Sequence, residues 1–216
     1  MKTTAKTLRF FVAPLAEMLG VATLLYFCTL ALSGLTKLVI FSDYALSFCF
    51  LYGLFLHLSF WQFSGAYCPL ALSFGATRRS IRRAILVLWV VGSLFAEAFT
   101  VLAAQLSLWM PMNEPAGRNV FLLQCGLHPV GGFCLMLFLA ATGSAAGTAL
   151  PASWPRAAGI TAKIILYIVA FAQVFVFMLL AYFLPQWFAP YCTALVAAAA
   201  LLMAAAMRAL RHAAVR

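Results

Sequence analysis

Six long apolar runs, at 10–35, 44–74, 84–110, 130–150, 160–184 and 191–207, constrain this chain more than any motif does. A helix needs about 20 predominantly apolar residues to cross the hydrocarbon core of a bilayer. The chain has 216 residues, of which 66% are hydrophobic and only 8% charged. Soluble domains are ordinarily about half apolar and about a quarter charged. A water-soluble fold could not hide so much apolar surface, so lipid must solvate much of it. The expected fold is all-α: a polytopic transmembrane bundle of about six helices, one membrane domain over 1–216. No stretch is polar and long enough for a separate soluble domain, so an energy-coupling or catalytic soluble domain is expected on another polypeptide.

The start of the chain resembles a secretory signal, because Lys2, Lys6 and Arg9 precede an apolar run. That run exceeds the 7–15 residues typical of a signal's apolar region, and it contains Glu17. It reads as a retained first helix. Lys2, Lys6 and Arg9 are spaced to share one face of a short basic helix at an anionic membrane surface. Helix 2 is expected to tilt or bend near Gly65 and Pro69. A short interfacial helix is expected over 119–127, and tight turns at Pro151 to Pro155 and at Pro185, Trp187 and Pro190.

Lysine and arginine are distributed unevenly among the connections. The N-terminal segment holds Lys2, Lys6 and Arg9, and the second loop Arg78, Arg79, Arg82 and Arg83. The fourth loop region holds Arg156 and Lys163, and the C-terminus Arg208, Arg211 and Arg216. These alternate segments hold twelve of the fourteen, leaving only Lys37 and Arg118 on the other side. The positive-inside rule then puts both termini in the cytoplasm. Trp109, Trp187 and Tyr191 fall on the outside, as an interfacial aromatic belt would. The net charge of +10 thus reports topology, and no nucleic-acid partner is expected.

The most specific segment is 69–83. Gly75 can end helix 2 in a left-handed conformation, and Thr77 can N-cap a short new helix. Arg78 and Arg82, like Arg79 and Arg83, are four apart, so the four arginines share one broad side. Arginine in a first helical turn opposes the macrodipole, so something other than helix stability accounts for them. Topogenic anchoring with lipid phosphate is one account; docking to an acidic or polar groove of a cytoplasmic partner is the other.

The string Leu72, Ser73, Phe74, Gly75, Ala76, Thr77, Arg78, Arg79, Ser80 resembles the cytoplasmic turn after helix 2 in the short six-helix permeases of bacterial ABC-2-type exporters. The close match covers about residues 67–90. Over the rest the resemblance is one of length, helix count and topology. It implies a coupling segment at 74–83 that docks a separate ABC ATPase through Phe74, Gly75, Ala76, Thr77, Arg78, Arg79, Ser80, Arg82 and Arg83. It also implies a second permease copy or a paralogue as partner, ATP and Mg on the ATPase alone, and a place in the bacterial inner membrane. Export of an amphiphilic compound or peptide follows from the family. A substrate-capture component of an uptake transporter, and a non-transporting membrane sensor or assembly protein, are the competing readings.

Glu97 falls near the middle of helix 3 and Glu17 in the first turns of helix 1. A carboxylate at the bilayer centre costs several kcal/mol (about 3 on insertion scales) unless it is paired, protonated or hydrated. Glu97 is therefore expected to face the bundle interior or a subunit interface, with His57, Gln62, Gln105 and Gln173 as candidate partners. Two roles stay open for it: fixing helix packing, or marking a polar spot on a substrate path. Gly143 and Gly147 form a G-x-x-x-G that permits close helix contact, and the alanines of helix 6 read the same way. The chain has no Walker A pattern, no H-E-x-x-H and no G-x-S-x-G, so no ATP site of its own, no cofactor and no enzymatic activity are expected. The six cysteines have no zinc-like spacing. Cys125 and Cys192 are the only pair expected to face outside.

Overall fold

The computed structural model describes residues 2–36, 52–109, 127–148 and 156–212. The loop over 37–43, the start of helix 2 at 44–51, the interfacial segment at 119–126, the turn at Pro151 to Pro155 and the last four residues lie outside them. So do Lys37, Arg118, Arg216, Cys49 and Cys125.

All regular structure among the described residues is helical. α1 is Lys2–Thr36. α2 spans 52–73 and is interrupted by one π-helical turn, Phe63–Tyr67. α3 is Arg78–Trp109, α4 Pro129–Thr148, α5 Arg156–Phe183 and α6 Pro185–His212. Five of the six, all but α2, are long and apolar enough to cross a membrane over their described residues.

Several expected boundaries move outward. The basic N-terminal residues do not form a separate surface helix; α1 runs unbroken from Lys2 through Pro14. The arginines of the second loop likewise belong to no short helix of their own, because α3 begins at Arg78 and continues to Trp109. The turn between α5 and α6 shrinks to Leu184, and α6 resumes at Pro185, where proline's missing N–H costs nothing.

Where a tilt or bend is expected near Gly65 and Pro69, α2 has the π turn. Pro69 has no N–H to offer the carbonyl of Gly65, and its ring would crowd that carbonyl in a regular α-helix. Widening one turn relieves this; the Cys68 N–H bonds instead to the carbonyl of Phe63.

α4 is the centre of the bundle. Over its most apolar stretch 78% of the residues are buried, against 22% for α5, and it packs on α2, α3, α5 and α6. Lipid provides no hydrophobic drive between helices, so close backbone contact and interhelical hydrogen bonds must hold them. The glycines of α4 supply the first. A Cβ at Gly143 would strike the backbone carbonyl of His57, and one at Gly147 the backbone carbonyl of Trp61 and the side chain of Ser64. The expected G-x-x-x-G contact is therefore formed, and its partner is α2.

Hydrogen bonds between helices supply the second, at about 0.6 kcal/mol each on average. Thr7 donates to Ser80 (3.1 Å), joining α1 to α3, and the hydroxyls of Thr23 and Tyr52 meet at 3.0 Å, joining α1 to α2. Trp89 Nε1 donates to the carbonyl of Leu137 (2.8 Å), and Tyr191 to Gln173 Oε1 (3.1 Å). The Tyr52 and Phe99 rings stack 4.5 Å apart.

These contacts also fix the helix directions. Thr7 lies level with Ser80 and Tyr26 with Phe99, so α1 and α3 run parallel. Gly53 lies level with Leu139 and Gly65 with Gly147, so α2 and α4 run parallel. Phe11 meets Phe63, and Trp89 meets Leu137, so these two sets oppose each other. Leu210 of α6 lies beside Arg78 and Ile81. The basic starts of α1 and α3 and the basic end of α6 are therefore at one end of the bundle.

Candidate functional site

The turn after α2 is built as its residues dictate. Gly75 takes φ +81°, the left-handed conformation in which a Cβ is costly. The Ala76 N–H reaches the carbonyl of Ala71 and the Gly75 N–H that of Leu72, both at 3.0 Å. This pair of bonds is the Schellman closure, which satisfies carbonyls left free at the helix end. Two residues later Thr77 Oγ1 accepts from the Ser80 N–H at 3.1 Å, capping α3 at its third residue. A helix stop and a helix start are thus joined with no slack.

The nine residues expected to dock a partner divide by exposure. Phe74, Gly75, Thr77, Arg78, Arg79 and Arg83 are exposed, and Ala76 and Arg82 are half-buried. Ser80 is buried; its hydroxyl donates to the Thr77 carbonyl (2.8 Å) and accepts from Thr7. It ties the turn to α1 and offers nothing to the surface. Phe74, 74% exposed, lies edge-on to Phe10 of α1 at 6.3 Å.

Glu97 is buried, as expected, between α3 and α4. The residues expected to pair with it do not. His57 turns to α4, where Nδ1 lies 3.1 Å from the Leu139 carbonyl and 3.0 Å from Thr142 Oγ1. Gln173 is taken by Tyr191, and Gln62 and Gln105 are exposed. Neither carboxylate oxygen of Glu97 has a hydrogen-bond partner among the described residues. The carboxylate instead lies against Gly132, in the space a side chain there would fill. The five polar residues are therefore dispersed and do not line a common path.

Sequence reasoning missed this Glu97–Gly132 contact, although adjacent glycines at 131 and 132 in an apolar helix signal close approach. It also missed that the free thiols of Cys134 and Cys192 are neighbours between α4 and α6. Cys125, expected to face outside with Cys192, lies outside the described residues. Among the described residues no cluster of His, Cys, Asp and Glu could hold a metal ion. No family model, no curated protein and no solved structure matches this chain.

Proposed function

We propose that this chain is the membrane-spanning permease subunit of an ATP-driven ABC transporter, with both termini in the cytoplasm and a separate ATPase docking on the turn after α2. The observation that carries the reading is a doubly capped turn presenting Phe74, Arg78, Arg79 and Arg83 at the basic end of the bundle. Cations in the first turn of α3 oppose its dipole; an acidic or polar partner surface would offset that cost. The resemblance of 72–80 to the coupling turn of ABC-2-type permeases supplies the identity of the partner, an ATPase that binds ATP and Mg.

Three features suit such a turn to transmitting force. Its closure leaves little backbone freedom. The Ser80–Thr7 bond joins it to α1, and the Phe10–Phe74 contact braces it from the same side. Displacement by an ATPase would therefore move α1, α2 and α3 together, as alternating access requires. A bacterial inner membrane, a second permease copy or paralogue, and an amphiphilic compound or peptide as exported substrate follow from the same resemblance.

The test is Arg78→Ala with Arg79→Ala, in cells co-expressing an ABC ATPase that the wild-type chain co-purifies. Arg82 and Arg83 remain to anchor the loop, so insertion should be normal. Truncating one partner of a buried, charge-assisted hydrogen bond at an interface costs about 2–5 kcal/mol. The ATPase should therefore fail to co-purify, or hydrolyse ATP without transport. Normal binding and transport would remove these two arginines from coupling and leave them as lipid anchors.

A further inference from the structure

An apolar groove of about 620 Å³ runs between α1 and α3 and opens to the bundle's surface. Its floor is Leu15 and Leu19, both buried, and its walls include the exposed Val12, Phe27 and Phe95. Gly20 deepens it, since a Cβ there would meet nothing within 4 Å. From Val12 to Phe27 the groove follows α1 for about 22 Å at 1.5 Å per residue. One leaflet of the hydrocarbon core is about 15 Å deep, so the groove is long enough for an acyl chain.

Its basic end identifies the occupant. Val12, Ala16, Gly20, Thr23 and Phe27 form one stripe of α1 at spacings of three and four. Arg9 continues that stripe three residues earlier, exposed, with Lys6 exposed one turn before it. Glu17, exposed, stands about 100° around the helix from Ala16, on the side of Leu24 at the groove's edge and eight residues beyond Arg9. Apolar depth beginning beside a cation is the complement of a lipid with an anionic headgroup. We infer that the α1–α3 groove holds an acyl chain of an anionic phospholipid whose phosphate pairs with Arg9.

A second copy suits the groove less well. A parallel partner docked by this face would bring its own Arg9 and Lys6 against these, like charge against like. Lipid binding here requires neither the transporter function nor a particular leaflet, only that α1 lies in a bilayer.

The experiment reconstitutes the full chain in phosphatidylcholine nanodiscs carrying a few per cent spin-labelled phosphatidylglycerol or, separately, spin-labelled phosphatidylcholine. The probe is the motionally restricted component of the spectrum. Wild type should hold phosphatidylglycerol about fivefold more tightly than phosphatidylcholine, the ~1 kcal/mol expected of one cationic side chain at an anionic surface. Arg9→Gln should abolish the preference while keeping the restricted component. Gly20→Leu, which fills the open space, should reduce that component for both lipids; Thr23→Leu does the same if Gly20→Leu fails to assemble. Val21→Ala, outside the groove, should change neither.

Equal retention of the two lipids by wild type would overturn the inference. So would a preference that survives Arg9→Gln, or an unchanged restricted component in every groove-filling variant that assembles. A wild-type dimer that Gly20→Leu converts to monomer by native mass spectrometry would assign the groove to a second copy.

Discussion

The carboxylate of Glu97 occupies the position a side chain at residue 132 would take, so Gly132 is the condition for burying it. The contact predicts a specific coupling. Gly132→Ala should displace the carboxylate and destabilise the bundle by about 1–3 kcal/mol, the usual cost of overpacking. In a Glu97→Ala background the same substitution should cost much less, since the obstructing group is gone. Thermal unfolding of the four proteins in detergent measures the interaction energy. Additive effects would mean that the two residues do not touch.

Glu97 itself gives the second prediction. A buried polar group that lacks a partner can be replaced by an apolar group of similar size at little or no cost. Glu97→Leu should therefore insert, assemble and unfold at the wild-type temperature or above it. Under the transporter reading a retained, unpartnered carboxylate acts by its charge, so Glu97→Gln should lower transport while leaving expression normal. A Leu variant that aggregates would overturn this and reveal a hydrogen-bond donor to the carboxylate.

The sequence was most informative where local backbone chemistry decides the outcome. Gly75 and Thr77 could be read as a helix stop and a helix cap because each acts within a few residues of itself; Pro69 marked where α2 is irregular for the same reason, but not that the irregularity is a π turn. Apolar length marked all six helices. It could not mark their ends, because Arg78 to Arg83 are polar yet continue the helix that follows them. The environment of Glu97 was illegible for a different reason. Which of His57, Gln62, Gln105 and Gln173 reaches it depends on the rotation of three helices, α2, α3 and α5, about their axes. No residue near Glu97 in sequence reports that rotation; Gly132, 35 positions away, does. The groove was hidden in the same way, since it exists only once α1 and α3 lie side by side.

The third prediction contrasts two glycines of similar apolar surroundings. A Cβ at Gly143 would strike the main-chain carbonyl of His57, which no rotamer change can move, whereas at Gly20 it would enter open space. Gly143→Ala should separate α4 from α2 and cost about 1–3 kcal/mol or more, lowering both the unfolding temperature and the yield of assembled protein. Gly20→Ala should leave both within error of wild type. Equal tolerance at the two positions would mean that α4 does not lie on α2 through its G-x-x-x-G.

The last prediction concerns which way the bundle faces. The helix directions gather the basic starts of α1 and α3 and the basic end of α6 at one end, with Trp187 and Phe188 at the other. The positive-inside rule predicts that the first end is the cytoplasmic one. Ser80 would be a poor site to probe this, since it is buried. Phe74 and Gln186 are exposed at opposite ends. In a cysteine-free background, Phe74→Cys should react with a membrane-impermeant maleimide only after the cells are opened, and Gln186→Cys should react in intact cells. Because the four arginines stand within nine residues of Phe74, labelling of Phe74→Cys from outside would invert the whole bundle. The turn would then face away from any cytoplasmic ATPase, and the transporter reading would fail with it.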